Sequence, residues 1–497
     1  MTEKNRIEQL IKVEICWGFS VKISFGTDGW RGIMGREFTF DNVKVVAQGI
    51  ADYVQSRGLG EKGVIVGYDT RRWSHRFAES VCEVMLGNKI PTYITNRDVP
   101  TPVAAFEVLH RKAAGAIMIT ASHNPPEWNG IKYIPEYAGP ALPETTEEIT
   151  YNINRILSEH KIKKISIKTG MQRGLLKWID PTVPYIKFVK EQLDVEAFKK
   201  AKLNVVFDAM YGTARGYLNR VLHILGCKVT VIHAEVDPNF GGGRPEPLPE
   251  FLAELKNKVI SLGANLGLAT DGDADRLAVY DSDGSYFAAD QLLPLLFDYT
   301  IKSGKLGGIV RTVATTHLLD RIAKKHGLPV YEVPVGFKYV GQYLREKDVL
   351  LGGEESGGIS FKGHIPDKDG IFTGVKVAEM IARTGKTLFQ LLRDLESEYG
   401  SLVGGREDLA CSDELKQVIM EKLSAKIPNK IAATEISHIN RMDGLKLILK
   451  DESWLLIRPS GTEPLIRIYG ESTNKEKLQA ILKEGKELVV KVLSEQP

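Results

Sequence analysis

The sequence predicts a multi-domain α/β protein, three similar α/β units followed by a smaller α+β unit. Three observations predict it. The chain has 497 residues, several domains' worth at ~100–200 residues each. Short apolar runs alternate with helical patterns over most of its length, which is the grammar of α/β units. The runs near residues 64, 204 and 308 each lead into a polar loop and a helix, a pattern that reads as a threefold internal duplication.

In chain order, residues 1–21 read as an extension without the apolar core of a signal peptide. Lys22-Ile23-Ser24-Phe25 predicts a short strand, and residues 26–32 a loop whose three glycines let backbone N–H groups approach an anion. Arg31 in that loop offers a bidentate phosphate contact. Val43, Val46, Ala47, Ile50 and Val54 predict a helix over 40–57. Residues 58–63 match G-x-G-x-x-G but follow a helix and precede the strand 64–67, the reverse of what a dinucleotide site requires. A helix follows over 74–87, a strand over 91–94 and a turn at Thr101-Pro102. The apolar run 113–119 predicts a buried strand entering Thr120-Ala121-Ser122-His123-Asn124-Pro125-Pro126, and residues 140–165 a helix and connection.

The second unit opens near Ile179. It carries a strand at 203–208, a helix opened by residues 209–213, a strand at 228–232, a glycine loop at 241–245 and a helix at 251–262. A strand at 264–269 then ends at Asp271. The third unit has a strand at 308–310 and a helix from Thr315 to Lys325. Gly385-Lys386-Thr387 fails as a P-loop because Met380 stands where a glycine is required. From about residue 404 the grammar changes to apolar stretches near 443–449, 454–457 and 465–469 and a closing helix at 474–494. The expected domains are 22–178, 179–290, 291–403 and 404–497.

Composition removes several classes of function. A net charge of +3 is too small to indicate a nucleic-acid partner. No apolar run approaches the ~18 residues of a membrane span. Four widely spaced cysteines form neither a CxxC pair nor a disulfide framework, which fits reduced thiols in a cytoplasm.

Four constellations carry chemistry. Two prolines stiffen the turn after the 113–119 strand, so Ser122, with His123 beside it, is held at a strand end where ligands of α/β proteins collect. Lys132 offers an amine nearby in sequence. Asp271-Gly272-Asp273-Ala274-Asp275-Arg276 sets three carboxylates at alternate positions, a donor set for a hard divalent cation. A calcium EF-hand loop is excluded, since its sixth and twelfth positions would be Arg276 and Ser282. Gly352-Gly353-Glu354-Glu355-Ser356-Gly357-Gly358 offers carboxylates and a hydroxyl to a diol. Arg458-Pro459-Ser460-Gly461-Thr462-Glu463-Pro464 combines a guanidinium, two hydroxyls and a glycine, a phosphate cradle. Together they describe a hydroxyl that carries a phosphoryl group, a metal, a sugar loop and a second phosphate loop, converging in a cleft between four domains.

In their order and spacing these motifs resemble those of the α-D-phosphohexomutases, the phosphoglucomutase/phosphomannomutase family, from about Ile23 to the C-terminus. The resemblance implies three α/β domains with mixed sheets and flanking helices, and a fourth domain like the TATA-binding protein. It implies a phosphoserine at Ser122, one Mg²⁺ held by Asp271, Asp273, Asp275 and a phosphoserine oxygen, and Arg31, His123, Lys132 and Arg276 around the reacting group. Lys132 and His123 are the two candidates for the proton carrier. Glu354 and Ser356 would read sugar hydroxyls, and Lys338, in Pro334-Val335-Gly336-Phe337-Lys338-Tyr339, would join them. Arg458, Ser460, Gly461 and Thr462 would hold the non-reacting phosphate. The implied reaction interconverts hexose 1- and 6-phosphates through a glucose 1,6-bisphosphate that also serves as activator, in a monomer or homodimer. Many phosphomannomutase/phosphoglucomutase and phosphoglucosamine mutase members end the sugar loop in His, where this chain has Gly358. Glu-Glu-Ser resembles phosphoglucomutases, so glucose is the expected sugar, mannose is admitted and glucosamine is the alternative. A phosphatase using the same residues and a non-catalytic sugar-phosphate-binding paralogue are the rival functions.

Overall fold

Four sheets organise the computed structural model, which describes residues 23–26, 28–461 and 463–494. The extension at 1–21 and Thr462 lie outside the described residues. In the first sheet Val64–Tyr68 is central. Thr92–Thr95 runs parallel on one side of it and Gly115–Ile119 on the other, and Trp128–Pro135 pairs antiparallel with Gly115–Ile119. The second sheet repeats this order with Asn204–Asp208, Lys228–Ile232, Leu266–Thr270 and the antiparallel Leu277–Asp281. The third repeats it again with Gly308–Thr312, Val330–Val333, Val349–Gly353 and the antiparallel Ile359–Phe361. The duplication expected from residues 64, 204 and 308 is therefore one four-strand topology used three times.

The inner parallel strands are buried along their whole length, save for the half-buried Asn204 at the start of one, because helices cover both faces. That is why they read as continuous apolar runs rather than as alternating ones. The repeat also places the motifs. In every unit the connection between the third strand and the antiparallel fourth carries one of them: Ser122 in the first, Asp271–Arg276 in the second and Glu354–Gly358 in the third. Three different chemistries thus occupy one structural position.

The fourth sheet is antiparallel, in the order Val403–Ala410, Leu465–Ser472, Trp454–Pro459, Leu445–Leu449, Thr434–Asn440, Lys430–Ile431. Apolar residues of helices Asp413–Ala425 and Lys475–Ser494 form its core with the inner sheet face. Among the described residues no helix is long and apolar enough to cross a membrane.

Three local expectations are corrected. Residues 23–25 form no strand; the strand is Trp30–Ile33, which takes up the end of the stretch expected to be a loop. It is an edge strand whose hydrogen bonds come from Trp128–Pro135, and four residues are too few for periodicity to show. Residues 209–213 open no helix. Met210 and Tyr211 are left-handed, with φ of 45° and 57°, and the helix begins only at Leu218–Ile224. Thr315 likewise precedes its helix, Leu318–Lys325.

Candidate active site

Ser122 sits just past the end of the strand Gly115–Ile119 in a left-handed conformation with φ of 51°. A non-glycine residue held there is strained, so its surroundings must over-determine it. Arg71, itself buried, does so. Its Nε donates to Asp69 Oδ2 at 3.0 Å, Nη1 to the carbonyls of Pro125 and Trp128 at 2.7 and 3.1 Å, and Nη2 to those of Ser122 and Asn124 at 2.6 and 2.7 Å. All five guanidinium N–H groups are thus used. The Ser122 N–H donates to Thr120 Oγ1 at 2.9 Å.

The Ser122 hydroxyl points across to the second unit. It donates to Asp271 Oδ2 at 2.8 Å and lies 3.3 Å from His123 Nδ1. Burial, with the cations of Arg276 and Arg31 behind it, pushes the His123 imidazole down to about 2, so it is neutral at pH 7. Arg31, on its edge strand opposite Gly130, donates from Nη1 to Asn124 Oδ1 at 2.5 Å. A Cβ on Gly130 would stand 3.0 Å from Arg31 Cγ, so the glycine gives this side chain its path into the site.

Asp271, Asp273 and Asp275 are buried, and one oxygen of each lies within 4.8 Å of the others. Asp271 Oδ1 accepts from the Arg276 backbone N–H at 3.0 Å, and Asp273 Oδ2 accepts from Thr101 Oγ1 at 2.7 Å and Lys132 Nζ at 2.9 Å. Asp275 Oδ2 lies 3.2 Å from Lys368 Nζ and 3.6 Å from Lys132 Nζ. The remaining oxygens, Asp273 Oδ1 and Asp275 Oδ1, are buried without a partner. Orphaned carboxylate oxygens are costly, and a divalent cation is the natural partner for an all-oxygen set. Burial raises the Asp271 carboxyl well above the usual range, and repulsion from Asp275 and Asp273 adds to it. Asp273 is held below that range, because Lys132 and the Thr101 hydroxyl outweigh burial. The residues fit Mg²⁺.

In the third unit, Glu354 Oε2 accepts from Ser356 Oγ at 3.3 Å. Its neighbour Glu355 is engaged elsewhere, by Thr312 Oγ1 at 3.0 Å and Tyr469 Oη at 3.5 Å. Burial raises the Glu354 carboxyl to about 7 against the pull of Lys368. Lys338 lies in the first turn of the helix Phe337–Glu346, its Nζ 4.9 Å from the Tyr339 ring centre.

The fourth motif forms a separate loop on the fourth sheet. Arg458 is the last residue but one of the strand Trp454–Pro459, and its Nε donates to Asp443 Oδ2 at 2.6 Å. The buried Lys416 reaches from its helix to donate to the carbonyls of Ser460 and Glu463 at 2.7 and 2.6 Å. Ser460 Oγ accepts from the Glu463 N–H at 3.2 Å, and Gly461 borders open space. The structure thus gathers Arg31, Ser122, His123, Lys132, the three aspartates and Arg276 into one cluster. Glu354 and Ser356 join it through Lys368, while Arg458 is tied to the third unit through Asp443.

The chain matches the family models "Phosphoglucomutase/phosphomannomutase, alpha/beta/alpha domain I" over residues 22–160, domain II over 183–284 and domain III over 288–399, and the C-terminal domain model over 415–487. It is 34% identical over 474 residues to the phosphoglucomutase/phosphomannomutase of Thermococcus kodakarensis, covering 95% of this chain and 98% of the relative. The chain belongs to the phosphohexomutase family. Its class is therefore that of isomerases acting as intramolecular phosphotransferases. A probable phosphoglucosamine mutase of Methanothermobacter thermautotrophicus is 33% identical, over 92% of this chain and 95% of the relative. A crystal structure of a phosphomannomutase from Thermus thermophilus superposes with a TM-score of 0.82 at 31% identity, over 95% of this chain and all of that one.

Three residues of this candidate site escaped the sequence reading. Arg71 and Lys416 clamp loops by bonding carbonyls, and such roles leave no motif. Lys368 follows the fourth strand of the third unit and enters the cluster from there. Asp275, Asp28 and Glu354 raise its ammonium pKa against burial. The one trace in sequence is Gly358, where an added Cβ would stand 2.5 Å from Lys368 Cδ.

Proposed function

We propose that this chain interconverts hexose 1-phosphates and hexose 6-phosphates, with glucose preferred and mannose admitted, through a phosphoserine at Ser122. One observation carries the reading: the Ser122 hydroxyl lies 2.8 Å from Asp271 within an aspartate cluster holding two orphaned oxygens. Asp271, Asp273 and Asp275 would hold Mg²⁺, which when bound supplies positive charge to the transferring phosphoryl group.

The chain's own residues do the rest. Arg31, Lys132 and Arg276 neutralise the reacting phosphoryl oxygens. The P–O bond to Ser122 Oγ breaks as one forms to the free hydroxyl of the hexose phosphate, and the proton that hydroxyl gives up passes by a carrier to the departing Ser122 Oγ. Lys132 is held as an ammonium by Asp273 and Asp275 despite burial, so it is a charge donor rather than a base. His123 is neutral and beside Ser122 Oγ, and a phosphoryl dianion there raises its basicity, which favours it as the proton carrier. The resulting 1,6-bisphosphate turns over in the cleft and returns its other phosphate to Ser122. Glu354 and Ser356, with Lys338, read the sugar hydroxyls. Arg458, Ser460, Gly461 and Thr462 hold the idle phosphate.

Conversion of glucose 1-phosphate, mannose 1-phosphate and glucosamine 1-phosphate to their 6-isomers, with Mg²⁺ and a trace of glucose 1,6-bisphosphate, tests the reading. The expected ranking is glucose, then mannose, then glucosamine. A glucosamine-first ranking would favour the reading suggested by the Methanothermobacter relative. Release of inorganic phosphate matching isomer formation would favour a phosphatase.

A further inference from the structure

Asp443 lies at the tip of the hairpin joining Thr434–Asn440 to Leu445–Leu449 in the fourth sheet. Its Oδ2 accepts two hydrogen bonds, from Arg458 Nε at 2.6 Å and from the backbone N–H of Val335 at 2.9 Å. The first partner belongs to the phosphate loop. The second lies in the third unit, three residues before Lys338 in the segment 334–339. One carboxylate oxygen therefore joins two loops that the chain separates by more than a hundred residues.

The rest of the hairpin reinforces this contact. Asn440 Nδ2 donates to Glu332 Oε2 at 2.7 Å. The buried Lys446 Nζ donates to Glu332 Oε1 at 3.0 Å and to the Val313 carbonyl at 2.7 Å. Gly444 has φ of 95°, and a Cβ there would stand 2.5 Å from the Ile457 carbonyl oxygen and 3.0 Å from Arg458 Cα. The tip is thus pressed onto the Arg458 backbone from one side and pinned to the third unit from the other. An arginine gripped at Nε has the plane of its terminal nitrogens fixed, which is what bidentate phosphate recognition requires.

We propose that Asp443 is a positioning residue: it aims the Arg458 guanidinium at the idle phosphate and locks the phosphate loop to the sugar-reading segment 334–339. This rests on the assignment of Arg458 to phosphate made above. The electrostatics oppose it, since a carboxylate beside a phosphate dianion repels it. A carboxylate that only offset the charge of Arg458 would therefore bind phosphate more tightly once removed. One that positions Arg458 would bind it more weakly.

The test measures binding of inorganic phosphate and of glucose 6-phosphate by calorimetry, and mutase turnover, on the full chain. The variants are Asp443→Ala, the isosteric Asp443→Asn, Arg458→Ala and the Asp443→Ala/Arg458→Ala double. Thermal melting checks that each is folded. Asp443→Ala should weaken both ligands about tenfold, as expected for losing one hydrogen bond to a charged group, and Asp443→Asn by a smaller factor in the same direction. KM should rise with the dissociation constant while kcat changes less. In the Arg458→Ala background, Asp443→Ala should cost phosphate binding nothing further. Tighter binding in either Asp443 variant, unchanged binding, or an equal loss in the Arg458→Ala background would overturn the proposal. Wild-type protein that binds glucose 6-phosphate but turns over no hexose phosphate would overturn the mutase reading and leave the role of Asp443 standing.

Discussion

Replacing Arg71 with lysine keeps the charge and removes the geometry. Arg71 fills five bonds: one to Asp69 and four to the carbonyls of Ser122, Asn124, Pro125 and Trp128. A lysine has three N–H donors, so at least two of these buried or part-buried acceptors lose their partner. Each such orphan costs ~1–3 kcal/mol, which puts the local penalty at about 2–6 kcal/mol, the upper end applying only if no water enters. The Arg71–Asp69 pair does not hold this energy by itself. Burial raises the Asp69 carboxyl and lowers the Arg71 guanidinium, in each case outweighing the attraction between them. A buried pair of that kind positions more than it stabilises. The expected result is a loop that no longer holds Ser122 at φ of 51° facing Asp271. Displacement of a reacting group by ~1 Å can cost about a hundredfold in rate. The assay is kcat for glucose 1-phosphate, read beside phosphoserine content by mass spectrometry and the melting midpoint. Wild-type kcat together with an unshifted melting midpoint in Arg71→Lys would refute the reasoning.

Two further predictions follow from the same cluster. If Glu354 reads sugar hydroxyls as proposed, its carboxylate is the stronger acceptor, and burial raises its pKa to about 7, so kcat/KM should rise with pH through about 7 and level off above it. Glu354→Gln should remove that limb while lowering kcat/KM throughout, and a limb that survives the change would assign it to another group. Asp275→Asn should weaken Mg²⁺ by more than the ~10–100-fold typical of losing an outer-shell partner, measured by calorimetry and by the Mg²⁺ dependence of turnover. Unchanged Mg²⁺ affinity would remove Asp275, with its orphaned Oδ1, from the ligand set.

The parts of the fold legible in the sequence were those whose signal is local. The inner strands showed as apolar runs because both of their faces are buried, and the three units showed as one pattern repeated. The edge strand Trp30–Ile33 did not show, since its hydrogen bonds come from a partner about a hundred residues away. The strand Val403–Ala410 was missed because its exposure alternates while its sequence does not: Gly404-Gly405 and the run Arg406-Glu407-Asp408 break the apolar–polar pattern. At the candidate site, Ser122, Asp271, Asp273, Asp275 and Glu354 were visible because each falls in a short motif whose residues lie close together in sequence. Arg71, Lys416, Lys368 and Asp443 were not, because each acts on a loop from a distant element. What the sequence reading missed was the support beneath each motif and the fact that three of the motifs share one position in the repeat.

The most direct test follows the phosphoryl group itself. Protein incubated with Mg²⁺ and radiolabelled glucose 1,6-bisphosphate should take label onto the peptide containing Ser122. Unlabelled glucose 1-phosphate should then chase that label into hexose bisphosphate and on into both monophosphate isomers. Ser122→Ala should take no label and lose mutase turnover by several orders of magnitude. Label on any other residue, or turnover near wild type in Ser122→Ala, would contradict the account.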